Sequence, residues 1–217
     1  MMKSFIERHK NVWNQGFAYS VTIGIFFFVI SLFINNLATT YASERVSLPV
    51  TDFILSNIRV FDVDAIIIYG ALLLIAFTII VVLYQPKRIP FILKSVALFI
   101  IIRSIFVTLT HIGPFSPQVI IDPIRIASAL NFLGIGTKAD LFFSGHTGMP
   151  FLLTLIFWND KVLRWIFLAT CIIFAVSVLL GHLHYSIDVF AAFFITYTIF
   201  AISQKLFAKD WELCYAV

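Results

Sequence analysis

The sequence predicts an all-α polytopic membrane protein with six transmembrane helices and both termini in the cytosol. Three observations carry that expectation. The 217 residues are 61% hydrophobic and only 12% charged, against roughly 25% charged in a soluble domain. Mean hydropathy is +1.01. The apolar residues fall in six nearly continuous stretches, without the single stripe of a surface helix or the ~10-residue alternation of a membrane β-strand. So little charge cannot cover a water-soluble globule, which makes each ionisable residue inside a span informative.

The spans are placed at about 17–38, 65–84, 91–111, 147–158 (extended upstream to about 141), 163–183 and 187–204. At ~20 residues per span, the chain holds six helices with short connections, a single domain over 1–217 and no appended soluble domain. The first apolar run is too long for a signal peptide. Cys171 and Cys214 offer no disulfide framework.

Orientation follows from the basic residues. The N-terminal tail, the 85–90 turn, the 159–164 turn and the C-terminal tail carry Lys3, Arg8, Lys10, Lys87, Arg88, Lys161, Arg164, Lys205 and Lys209. The opposite loops carry only Arg45, Arg59, Arg125 and Lys138, with most of the acidic residues. Lys and Arg mark cytosolic loops, so the long loops at about 39–64 and 112–140 face the exterior, periplasm or lumen. Within the second, Asp122-Pro123 reads as the start of a short helix to about Leu133. Around Phe53, Ile54 and Ile58 the first loop reads as a short interfacial segment. Lys94 reads as a side chain that snorkels to the cytosolic face.

Depth then sorts the remaining polar residues. Arg103 lies ~18 Å along the third span, in its outer half. His146 stands at the outer end of the fourth span, His184 at the outer end of the fifth, and Asp188 opens the sixth. Four separate points of the chain thus reach one depth on one side. His184 and Asp188 are four apart, which lets the aspartate accept from imidazole Nδ1–H and leave Nε2 as a nucleophile. His146 is placed to protonate a leaving oxygen. Ser144 and the first N–H groups of the fourth span form an anion cradle, and Arg103 offers fixed positive charge to phosphate oxygens. Together these describe phosphoryl transfer through a phosphohistidine. A metal site from His182, His184 and Asp188 is disfavoured, because histidines two apart do not share a helix face. A serine hydrolase using Ser144 lacks the glycine that precedes the nucleophile in the elbow motif.

Ser144-Gly145-His146-Thr147 and His184-Tyr185-Ser186-Ile187-Asp188-Val189 resemble the two signature motifs of the membrane-bound lipid phosphatase and phosphotransferase superfamily, which includes type-2 phosphatidic acid phosphatases and sphingomyelin synthases. The resemblance is closer to the synthases. Asp140 stands four before the S-G-H-T run, His182-x-His184-Tyr185 is followed by Ala192-Phe193-Phe194-Ile195-Thr196, and Arg103-Ser104-Ile105 is similar to the end of their third-span motif. Two cations of the phosphatase branch are absent: Val96 stands seven before Arg103, and Val178 follows Ser177. The synthases' P-L-P-D is matched only loosely, by Leu48-Pro49-Val50-Thr51-Asp52.

The motifs cover about 103–196. They imply His184 as nucleophile, Asp188 as its orienter and His146 as acid/base. Arg103, Ser144, Gly145, Thr147, Asp140 and Tyr185 are the expected substrate-binding residues. No metal or other cofactor is expected, and no nucleic acid. The expected partners are a membrane phospholipid, a lipid-alcohol acceptor and the bilayer, the setting a bacterial inner membrane with the site facing the periplasm or exterior, or the lumen in a eukaryotic membrane. Two other readings stay open: a lipid phosphate phosphatase that uses water, and a non-catalytic transporter or scaffold.

Overall fold

In a computed structural model that describes residues 2–117 and 141–215, every described regular element is helical. The helices are α1 (Met2–Val12), α2 (Gln15–Ser43), α3 (Asp64–Tyr84), α4 (Ile89–Leu109), α5 (Gly145–Ile156), α6 (Lys161–Leu180), α7 (Ser186–Leu206) and α8 (Ala208–Tyr215). Short 3-10 turns lie at Leu55–Asn57 and Pro86–Arg88. The expected short helix at 122–133, and Asp140, lie outside the described residues.

Local chemistry sets the boundaries. The Asn14 side chain accepts the Phe17 N–H and caps α2, separating it from α1. Pro86 and Pro90 sit where an N–H is unsatisfied anyway, at the start of the turn and of α4. Asp160 caps α6 by accepting the Val162 and Leu163 N–H groups at 3.1 Å. At the head of α7, Asp188 reaches back to accept the Tyr185 N–H at 2.9 Å.

Among the described residues, five helices are long and apolar enough to cross a membrane: Gln15–Ser43, Asp64–Tyr84, Pro86–Leu109, Lys161–Leu180 and Ser186–Leu206. The fourth expected span differs. Its helix, α5, has 12 residues, or ~18 Å at 1.5 Å per residue, well short of the ~30 Å hydrocarbon core. Residues 141–144 upstream of it are irregular. Such backbone survives at membrane depth only where protein satisfies its polar groups, and here it does: the Leu141 and Phe143 carbonyls accept from His184 and Arg103. At the other end of α5, the buried Arg88 and the Tyr215 hydroxyl donate to the Ile156 carbonyl at 3.0 Å each, and Arg88 lies over the Phe157 ring. A cation there also suits the helix dipole.

The main core gathers Phe91, Phe99, Phe143, Leu152, Ile156, Phe167, Ala192 and Ile199 between α4, α5, α6 and α7. Gly148 lets α5 approach closely, since a Cβ there would meet the Phe99 ring and the Thr196 hydroxyl at 2.8 Å. Gly148→Val is therefore expected to destabilise the fold by about 1–3 kcal/mol, read as a lower Tm of the detergent-purified protein; an unchanged Tm would mean that α5 is free to shift.

Two more expectations are corrected. The termini expected as tails form α1 and α8, and α8 folds back so that Trp211 packs on Phe91 and Phe200. Lys94 does not snorkel: it is buried, with Nζ 2.6 Å from Asp210 Oδ2 and 2.7 Å from Ser20 Oγ. Tertiary pairing to α8 is nearer than water. Cys171 and Cys214 are free and buried, and burial pushes the Cys214 thiol up to about 12.

Candidate active site

The site lies where the end of α4, the start of α5 and the head of α7 meet. His184 is buried, and its Nδ1 donates to the Leu141 carbonyl at 2.8 Å. A carbonyl only accepts, so that bond puts the ring proton on Nδ1 and leaves Nε2 with its lone pair. Asp188 Oδ2 is 3.6 Å from the same Nδ1. That distance is too long for a hydrogen bond. The expected Asp188–His184 hydrogen bond is thus replaced by one to a backbone carbonyl, while Asp188 Oδ2 accepts the Tyr185 N–H. Asp188 is fully buried, and its Oδ1 has no hydrogen-bond partner among the described residues.

His146 comes from the first turn of α5, with its ring centroid 6.3 Å from that of His184 and 6.0 Å from that of Phe174. Pro150 has no N–H to give the His146 carbonyl, so the α5 ladder opens at that residue. Arg103 is buried, and its Nε donates to the Phe143 carbonyl at 2.9 Å. It runs close past Gly145, where a Cβ would lie 3.1 Å from Nε. The structure therefore brings together Arg103, Gly145, His146, His184 and Asp188.

Ser144, Thr147 and Tyr185 are arranged differently from the expected ligand contacts. Ser144 caps α5, accepting the Thr147 N–H at 3.3 Å and the Thr147 hydroxyl at 3.2 Å, and both residues are fully buried. Its own N–H donates to the Asp188 carbonyl at 3.1 Å, which ties α5 to α7. Tyr185 donates to the Gly113 carbonyl at 2.7 Å and accepts the Val50 N–H at 3.1 Å. These three frame the site rather than open onto it. The Asp140 expectation lies outside the described residues.

Sequence reasoning missed two kinds of group. The Leu141 and Phe143 carbonyls carry no side-chain signal. Asp52 carries one, the loose match at Leu48–Asp52, but its place is set by folding. Its Oδ1 accepts the Ile54 and Leu55 N–H groups, and its Oδ2 accepts the Ser186 N–H at 2.7 Å, pinning the 44–63 loop to the head of α7. Burial pushes the Asp52 carboxyl up, but the bonds from Leu55, Ser186 and Ile54 outweigh it and hold the group below the usual carboxylate value. A depressed folded value means the anchor is at full strength above about pH 4 and is lost as pH falls through the folded value. Asp52→Asn is expected to cost about 1–3 kcal/mol of loop anchoring and to flatten that acid dependence, measured by hydrogen exchange at Ile54, Leu55 and Ser186.

His182 has φ 54, in the left-handed region, and lies 2.8 Å through Nδ1 from the Pro117 carbonyl while its ring packs on Phe115. The carbonyl of Pro117 fixes the sense: Nδ1 donates.

A cavity of about 600 Å³ opens from this site between α2, α3, α4 and α5. Arg103, Gly145 and His146 line one end; Phe28, Ile75, Ile79, Leu83, Ile92 and Leu153 line much of the rest. It runs back to Ile89, ~21 Å from Arg103 along α4. The cavity exists because α2 packs along α4, whereas α3 leans on α6 and makes at most glancing contact with α2 and α4. Among the described residues no cluster of His, Cys, Asp and Glu could hold a metal ion.

No curated protein and no solved structure matches this chain. Residues 139–205, which hold His146, His184 and Asp188, match the family model described as PAP2 superfamily C-terminal. That segment, under half of the chain, is similar to the PAP2 superfamily, and the helices around it are apolar enough to cross a membrane.

Proposed function

We propose that this protein is an integral membrane lipid phosphotransferase, similar to sphingomyelin synthases, that moves a phospho-head-group from a phospholipid to a lipid alcohol through a phosphohistidine on His184. The observation that carries the reading is the His184 tautomer: the Nδ1–H bond to Leu141 leaves Nε2 as the nucleophile, with His146 beside it at the mouth of an apolar cavity.

In the first step Nε2 attacks phosphorus, the bond from phosphorus to the leaving oxygen breaks, and that oxygen takes a proton from His146. In the second, the acceptor hydroxyl attacks phosphorus and returns its proton to His146 while the bond to Nε2 breaks. Asp188, 3.6 Å from Nδ1, stabilises the positive charge on the modified ring. Arg103 balances the phosphate oxygens. Gly145 leaves Arg103 its room, Ser144 and Thr147 hold the turn that presents His146, Tyr185 holds the loops, and Asp140 serves the head group. No cofactor takes part. Apolar cavity walls suit the hydrocarbon of the donor or acceptor.

The positive-inside pattern puts the site on the exterior face of a bacterial inner membrane, with both termini in the cytosol and α5 as a sixth, incomplete span. Water in place of the alcohol would turn the same residues to lipid phosphate hydrolysis. What favours transfer is that the two positions where the phosphatase branch carries cations are apolar here: Val96 lines the cavity, and Val178 is fully buried in a cluster with Val63, Ile67 and Val189.

The purified protein, offered labelled phospholipids with ceramide and diacylglycerol, is expected to yield a labelled transferred lipid. Free phosphate or head-group alcohol alone would favour hydrolysis. No product with any donor would favour a transporter or scaffold.

A further inference from the structure

A second cavity, of about 840 Å³, lies at the other end of the bundle, between the start of α2, the start of α4 and the junction of α7 with α8. Its chemistry is cationic. Lys87, Lys94, Lys205 and Lys209 line it, against the single carboxylate of Asp210. That carboxylate is already neutralised: Oδ1 accepts from Ser20 at 2.6 Å and Oδ2 from Lys94 at 2.6 Å. Lys205 and Lys209 are exposed and have no ion-pair partner among the described residues. The first turns of two helices also line it, through Gly16 in α2 and Ala208 in α8. Helix N-termini add positive potential.

The cavity straddles the edge of the apolar spans. Lys205 is in the last turn of α7, while Lys94 lies more than a turn inside α4. Trp13 and Tyr19 stand exposed at the same level, as aromatic residues do at a membrane interface. Ile23 and Leu206 supply an apolar side to the wall, and Leu206 is 62% exposed. A soluble anion would need only the cations; a phospholipid would use the apolar side as well.

We propose that this cavity binds an anionic phospholipid, its phosphate held by Lys205 and Lys209 at the start of α8 and its chains lying along Ile23 and Leu206. Basic pockets between membrane helices recognise such head groups. The site is separate from His184 and does not depend on chemistry there.

The test follows the Tm of the detergent-purified protein as phosphatidylglycerol, phosphatidylcholine or water-soluble glycerol phosphate is added. Phosphatidylglycerol at about 100 times its Kd is expected to raise Tm by roughly 5–10 °C, with little effect from phosphatidylcholine. Lys205→Gln/Lys209→Gln, on exposed positions, should start from a Tm near that of the native chain and lose most of the shift. His184→Ala should keep the whole shift, which separates this site from lipid held at the active site. Equal shifts with both lipids, or a full shift in the double lysine variant, would overturn the proposal. A full shift with glycerol phosphate would overturn it too, since a soluble phosphate would then suffice.

Discussion

His184→Ala is expected to abolish turnover, by about 10,000-fold or more, while the protein stays folded. A nucleophile that forms the covalent intermediate cannot be replaced by its neighbours, and the loss of such groups costs about that much in enzymes with covalent intermediates. The structural cost is small by comparison. The imidazole donates one hydrogen bond, to the Leu141 carbonyl, worth about 1 kcal/mol. Rapidly quenched wild type with a phosphorus-labelled donor should carry label on the chain, and His184→Ala should carry none. Undiminished turnover in a folded His184→Ala protein would sink the phosphohistidine mechanism. Asp188 would not serve as an equally clean test, because its removal also uncaps α7 at the Tyr185 N–H.

The largest effect on stability is expected from Asp210→Ala. Lys94 is buried within α4, and its ammonium is held by Asp210 and Ser20. Removing the carboxylate leaves a desolvated charge beside the Phe207 ring, at a cost of about 3–5 kcal/mol. The pair itself is not intrinsically stabilising against an apolar replacement. Lys94→Met/Asp210→Leu should therefore recover most of the loss, and the double-mutant cycle read from thermal or denaturant unfolding measures the coupling. A small loss in Asp210→Ala would mean that water reaches Lys94. Because α8 also packs Trp211 on Phe91 and bonds Tyr215 to the end of α5, the destabilised variant should lose α8 from the bundle first.

The two groups show where sequence reading succeeds and where it stops. His146, His184, Arg103 and Asp188 were legible because charge is scarce in an apolar chain, and span periodicity alone assigns each a depth. Nothing in the sequence marks Lys94 as paired, since its partner lies 116 residues away on a helix too short and polar to announce itself. The length of α5 is hidden from the sequence for a related reason. Its apolar run continues to Trp158, but its start is decided by Ser144 and by the carbonyls of 141 and 143, whose donors, His184 and Arg103, reach them only when the fold is in place.

By itself, then, the sequence determined the all-helical membrane class and five spans to within a few residues. It also singled out Arg103, His146, His184 and Asp188, which packing brings close together, because burial in hydrocarbon makes each ionisable residue rare. Only the tertiary structure decided which atom holds His184, how Asp188 divides its oxygens and where Asp52 anchors its loop. Those choices are hydrogen bonds to backbone groups far along the chain, and a backbone carbonyl is the same in every residue. The scarcity of charge pointed to the residues, and packing assigned their partners.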